Sequence, residues 1–252
     1  MRSLDYDKTI SKIQSWIKEF VKSVQVEGVI VGLSGGIDSA VTSTLSVNAI
    51  GKENVIGLGL PCISIPQDLD DAKMLADRLG IEFIVLDLSS VYEEFIKVTS
   101  GKIESNKIAK ANVKARLRMV TWYFTAQSRG SYLIGGTGNR TELAIGYFTK
   151  YGDGGVDFEP IGGLYKCEVR EIARKLNIPE TIINKPPSAG LWEGQSDEGE
   201  IGMAYDVIDE ILYRIDYNLD LSDLNQKDVN KVKKMMKTSQ HKLNIPPAYE
   251  IS

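Results

Sequence analysis

The chain has 252 residues, 42% hydrophobic and 25% charged, with a net charge of −4 at pH 7, enough for one sizeable α/β domain expected to span residues 1–252. The acidic balance argues against nucleic acid as a partner, and no run approaches the roughly 18 apolar residues of a membrane span. Cys62 and Cys167 lack metal-ligand spacing, so neither a zinc site nor a disulfide framework is suggested, and with no signal-peptide pattern a cytoplasmic protein is expected.

Ile10, Ile13, Ile17, Phe20, Val21 and Val24 recur at helical spacing and predict an amphipathic opening helix. The apolar run Gly28-Val29-Ile30-Val31 then reads as a buried strand breaking into Gly32-Leu33-Ser34-Gly35-Gly36-Ile37-Asp38-Ser39 and a helix to about residue 50. Residues 55–61 form a second strand pattern, and a helix through Leu69, Ala72, Leu75, Ala76 and Leu79 leads to a third at 83–86. A helix over about 107–127 and a strand at 132–134 follow, and the last fifth of the chain is helical and polar. Near-continuous apolar strands alternating with helices predict a doubly wound parallel sheet with helices on both faces. Ligands bind such sheets beyond the carboxyl ends of the strands, where the Ser34 loop, Pro61 and the Gly135–Gly138 turn fall.

The loop after the first strand has the phosphate-binding ingredients, adjacent glycines and a helix N-terminus. It lacks the lysine of a G-x-x-x-x-G-K-[ST] loop and the spacing of a dinucleotide fingerprint. Asp38 puts a carboxylate there instead, which makes sense with a divalent cation between it and the phosphates. In Gly135-Gly136-Thr137-Gly138-Asn139-Arg140-Thr141-Glu142 the spacing alone reads as a capping box of Asn139 and Glu142. Tyr147, Phe148 and Tyr151 around Gly152-Asp153-Gly154-Gly155 suit ring stacking on a nucleotide-shaped ligand. Lys166, in the first turn of a helix through Val169, Ile172, Ala173 and Leu176, opposes the macrodipole, so it either faces an anion or points to water. Lys107, Lys110, Lys114 and Arg118 form a charge stripe expected to be solvated, whereas Arg116 shares an apolar stripe with Val113, Met119 and Val120. An arginine there predicts a ligand or subunit-interface carboxylate. Two aperiodic segments, Thr99 to Asn106 and Pro186 to Glu200, are lid candidates; Leu191 and Trp192 offer the second an apolar closing surface, and Glu193, Asp197, Glu198 and Glu200 make it acidic.

The S-G-G-x-D-S loop resembles the pyrophosphate loop of the ATP-pyrophosphatases, and the later motifs resemble the NAD synthetases in order from Ser34 to Lys242. The resemblance implies an ammonia-dependent ligase that amidates deamido-NAD while ATP becomes AMP and pyrophosphate through an acyl-adenylate. It implies ATP contacts from Gly32, Leu33, Ser34, Gly35, Gly36, Ile37, Asp38, Ser39, Thr137, Lys166 and Ser188, and magnesium on Asp38 and Glu142. It implies deamido-NAD contacts from Arg116, Lys150, Asp157, His241 and Lys242, in a homodimer whose substrate site is shared between subunits. Asp38 and Lys166 would serve catalysis, with Asp153 as the candidate base for ammonium. Asn139-Arg140-Thr141 stands where many bacterial members have Asp-His-Ala, so nothing is carried onto those three. The chain leaves no room for the amidase domain of glutamine-dependent members, so ammonia is expected free or from another polypeptide. Other ATP-pyrophosphatases, such as a tRNA-modifying ligase or a GMP-forming synthetase, and a non-enzymatic nucleotide sensor are the competing readings; the acidic charge and two isolated cysteines disfavour the tRNA enzyme.

Overall fold

The structure, a computed structural model, describes residues 2–188, 190, 192 and 194–249. The order is α1 (Tyr6–Ser23), β1 (Gly28–Gly32), α2 (Ile37–Ile50), β2 (Val55–Gly59), α3 (Pro66–Leu79) and β3 (Glu82–Val85). Then come α4 (Ser89–Thr99), α5 (Lys107–Arg129), β4 (Tyr132–Gly135) and α6 (Arg140–Ile145). The remainder carries α7 (Lys166–Lys175), α8 (Glu180–Ile183), α9 (Asp197–Ile201), α10 (Tyr205–Asp216) and α11 (Gln226–Leu243). No helix of the described residues is long and apolar enough to cross a membrane.

The strands pair in the order β3-β2-β1-β4, all parallel. Side chains alternate across a strand, and β1 uses both directions. Val29 and Val31 join Ile17, Val41 and Ile172 in one core, while Ile30 joins Ile56, Ala126 and Ile134 in the core on the other face. A third cluster, Tyr165, Tyr205, Ile208, Leu212, Val229 and Val232, ties α10 and α11 to the start of α7. The expected doubly wound parallel sheet is therefore present. β1 lies between β2 and β4, so the winding reverses there and a crevice opens beyond its carboxyl end.

Two expectations about α5 are corrected. Of the stripe expected to be solvated, Lys107 and Lys110 are exposed, but Lys114 is buried and Arg118 turns inward. Arg118 donates from Nε to Leu60 O at 3.0 Å and from Nη2 to Ser64 Oγ at 3.1 Å. Arg116, expected on a buried stripe, is exposed, as are Val120 and Phe124 on the same face. The physical reason is the pair Ala111 and Ala115: with Arg118 and Trp122 they recur at spacings of four, three and four, and this is the face turned to the crevice. The more apolar face is left outside.

Candidate active site

β1 delivers the chain to the loop at Gly32, and Leu33 N–H donates to Leu58 O at 2.8 Å, extending the β1–β2 ladder by one bond. Gly35 adopts φ +74°, and a Cβ there would meet Asp68 O at 2.3 Å, so only glycine lets the loop pass α3. The loop is fixed internally: Ser39 Oγ donates to Gly36 O at 2.9 Å, and Ser34 N–H donates to Ser39 Oγ at 3.2 Å. Lys185, not singled out in the sequence, braces it from outside. Its ammonium lies 2.6 Å from both Asp68 and Asp71 and 3.4 Å from Gly35 O.

Three charged groups meet beside this loop. Lys166 Nζ lies 2.5 Å from Asp38 Oδ2 and 3.0 Å from Glu142 Oε1, with its side chain only 3% exposed. The adverse position of Lys166 in the first turn of α7 is therefore answered by two carboxylates rather than by water. Those carboxylates raise the lysine pKa against the opposing effect of burial, while burial, with Asp38 nearby, raises that of Glu142.

The capping box is present as well, and it is part of the site. Asn139 Oδ1 accepts from Glu142 N–H at 3.0 Å while its Nδ2 donates to Asp38 Oδ1 at 2.9 Å. One buried amide thus links α2 to α6 and sets the two carboxylates side by side. Thr141 Oγ1 donates to Asp209 at 2.5 Å and accepts from Lys166 N–H at 3.1 Å, fixing the start of α7. Arg140 pairs with Asp216 through Nε at 3.0 Å. Tyr205, also missed in the sequence, is fully buried, with its hydroxyl 3.3 Å from Glu142 and 3.1 Å from Asp197.

The donor set suits magnesium. Asp38 and Glu142 converge on one cation's position with oxygen ligands only, and magnesium prefers few protein carboxylates, taking phosphate oxygens and water for the rest. Among the described residues no larger group of carboxylates, histidines or cysteines forms a metal centre.

The crevice is a cavity of about 670 Å³. Gly32, Leu33, Ser34, Gly36, Ile37, Asp38, Ser39, Thr137, Glu142, Lys166 and Ser188 line it, while Gly35 packs behind against α3. Asp153 also lines it, holding Thr149 N–H at 3.0 Å, and the surrounding protein raises its pKa. Pro187, Ser188, Gly190, Trp192, Gly194, Gln195, Asp197 and Glu200 place the second lid candidate on the cavity wall; Leu191 and Glu193 lie outside the described residues. Trp192 rests under Lys107, whose ammonium is 3.9 Å from the ring centroid, and α9 supplies helix where only loop was expected. The other lid candidate, Thr99 to Asn106, is the exposed connection between α4 and α5.

A phosphate loop without its lysine, facing a carboxylate pair and a lysine from elsewhere in the chain, matches the order of motifs in the sequence. The family model described as NAD synthase covers residues 9–246. The chain belongs to the NAD synthase family. The NH(3)-dependent NAD(+) synthetase of Methanosarcina acetivorans is 43% identical over 256 residues, spanning 98% of this chain and 100% of that protein. The solved NH3-dependent NAD synthetase of Campylobacter jejuni has a TM-score of 0.85 and 33% identity, over 98% of this chain and 100% of that one. The solved NMN synthetase of Francisella tularensis has a TM-score of 0.90 and 34% identity, over 99% and 100%.

The residues that the NAD synthase resemblance marked for the dinucleotide lie mostly outside the cavity. Arg116 Nη2 donates to Lys150 O at 3.3 Å, and Lys150 Nζ donates to His241 O at 2.5 Å. Arg116 and His241 are thus both linked to Lys150, one at its backbone and one at its side chain. Lys242 reaches the cavity wall, donating to Gly146 O and Phe148 O at 2.7 Å each. Asp157 spends both oxygens on protein, accepting from Ile134 N–H at 2.7 Å and Tyr123 OH at 2.9 Å.

Glu159, behind the Gly136–Gly138 turn, gives this member of the NAD synthase family a pH-dependent stability. Burial pushes its pKa up to about 8, against one bond from Gly138 N–H at 2.9 Å. Between about pH 4.5 and 8 the folded chain keeps a proton that the unfolded chain has released, so stability falls as pH rises, with a slope of up to about 1.4 kcal/mol per unit. Glu159→Gln is expected to raise the melting temperature clearly at pH 8 and little at pH 5. An equal shift at both would place the cause elsewhere.

Proposed function

We propose that this chain is an NH3-dependent NAD synthetase, a single domain over residues 1–252 that converts deamido-NAD, ATP and ammonia into NAD, AMP and pyrophosphate. The convergence of Asp38, Glu142 and Lys166 beside a lysine-free phosphate loop carries this reading. The triphosphate of ATP lies against the Ser34 loop and the N-terminus of α2, with Thr137 and Ser188 on the walls. The deamido-NAD carboxylate attacks the α-phosphorus, the bond to the β-phosphate oxygen breaks, and pyrophosphate leaves. Lys166 stands where the departing charge develops. Asp38 and Glu142 would hold magnesium, which would supply further neutralisation of that charge. Asp153, whose pKa is raised by its surroundings, takes a proton from ammonium. Ammonia then attacks the carboxyl carbon, its extra proton passes to the departing phosphate of AMP, and AMP leaves with the carboxyl-derived oxygen. The 186–200 segment acts as a lid that keeps water from the acyl-adenylate.

The working form is a cytoplasmic homodimer. Support for the dimer comes from the outer faces of α4 and α5, where Val91, Phe95, Val98, Val120 and Phe124 are all exposed. Arg116 sits on the same face of α5, so the second subunit covers the dinucleotide residues.

A mononucleotide substrate is the second reading, favoured by the likeness to the Francisella tularensis NMN synthetase. The pure protein with ATP, magnesium and ammonium is expected to amidate deamido-NAD faster than nicotinate mononucleotide, releasing one AMP and one pyrophosphate per NAD. The reverse preference would establish the mononucleotide reading, and no amide product from either would overturn both.

A further inference from the structure

Arg118 is one of the charged groups lining the cavity that the reaction as described does not use. It lies on the stripe Ala111, Ala115, Arg118 and Trp122, the α5 face that lines the cavity. Its Nε and Nη2 are held by Leu60 O and Ser64 Oγ, which fix the guanidinium at the carboxyl end of β2 and, among the described residues, leave N–H groups of the fork unused. Both partners are neutral. Among the described residues no carboxylate stands in ion-pair contact with it, although the charges of Asp153 and Asp68 reach it. Arg118 is half-buried on the cavity wall, and burial presses its pKa down.

A half-buried guanidinium held only by neutral partners suits an anion that arrives in the cavity. A second donor points the same way. Trp122 Nε1–H, one turn further along the stripe, is the buried side-chain polar atom with no hydrogen-bond partner among the described residues. The reaction proposed above brings two kinds of anion into this cavity, the phosphates of ATP and the carboxylate to be activated. The phosphates already have the Ser34 loop, the start of α2 and Lys166. Arg118 lies within electrostatic reach of Asp153, the group assigned to ammonium, and the reacting carboxyl must sit between the α-phosphorus and that ammonium.

We propose that Arg118 binds the carboxylate of the substrate before it is adenylated, and that this contact makes the site prefer the acid over its amide product. The assignment rests on the amidation reading of the site. A planar fork suits a carboxylate bidentately, and a neutral carboxamide offers one acceptor and no charge. The contact therefore strengthens substrate binding and helps the product leave.

Calorimetric titration of wild-type protein and Arg118→Met with deamido-NAD, NAD and ATP tests this without turnover. Wild type is expected to bind deamido-NAD more tightly than NAD. Arg118→Met should lose on the order of 10- to 100-fold for deamido-NAD, as for a charged hydrogen bond, with NAD and ATP affinities unchanged. Arg118→Lys, which keeps the charge without the fork, should fall between and guards against misfolding of the methionine variant. Equal losses for deamido-NAD and NAD, or a loss for ATP, would overturn the assignment. Wild-type protein that binds neither dinucleotide would overturn the substrate reading and this assignment with it. Unchanged deamido-NAD binding in the variants would overturn only the role of Arg118.

Discussion

Asp38→Asn and Glu142→Gln are each expected to lower turnover by roughly 1000-fold or more at saturating ATP, because on the proposed reading each removes a charge that would hold magnesium against the triphosphate. Both substitutions keep side-chain size and an oxygen acceptor, so the Lys166 contacts at 2.5 and 3.0 Å have a neutral counterpart and the fold should persist. Titrating magnesium in a steady-state assay, with circular dichroism as the control for folding, checks this. Near-normal activity at ordinary magnesium in either variant would remove the metal assignment.

Lys166→Met has two separable effects. Adenylation should slow by about 100- to 1000-fold, since the ammonium acts where pyrophosphate charge develops, while deamido-NAD affinity stays within a few-fold of wild type. Rapid-quench measurement of adenylate formation beside equilibrium binding separates these. A fall in deamido-NAD affinity with an intact adenylation rate would mean that Lys166 serves the substrate instead. The second effect is on stability. Without Lys166, Asp38 and Glu142 face each other with no cation between them, a loss of about 3 kcal/mol for a broken buried pair. Magnesium should therefore raise the melting temperature of Lys166→Met by more than that of wild type, because lysine and metal neutralise the same carboxylates. Equal magnesium effects would mean that they do not share a site.

The sheet, its helices and the phosphate loop were legible because local patterns dictate them. A β-branched run ending in paired glycines has few alternatives, and Gly35 at φ +74° is the structural counterpart of that signal. The helix α4 is absent from the elements expected from the sequence, and its apolar residues Val91, Phe95 and Val98 are exposed. The two arginines of α5 were read in reverse because hydrophobicity does not say which face of a helix approaches a sheet. Here the face carrying Ala111, Ala115, Arg118 and Trp122 is the one that lines the crevice. Spacing alone shows Glu142 only as part of a cap, and the structure adds a second contact: its backbone N–H is capped by Asn139 while its carboxylate faces Lys166. Lys185, Tyr205 and Asn139 act through partners far away in sequence, a property that no local pattern carries.

The central claim is that this cavity activates a carboxylate by direct attack on the α-phosphorus of ATP. Deamido-NAD labelled with oxygen-18 in its carboxylate, turned over with ATP, magnesium and ammonium, tests it most directly by mass spectrometry of the AMP. The account predicts one labelled oxygen in AMP for each NAD formed and none in pyrophosphate. Unlabelled AMP, or label in a phosphate cleaved from the γ-position, would contradict it.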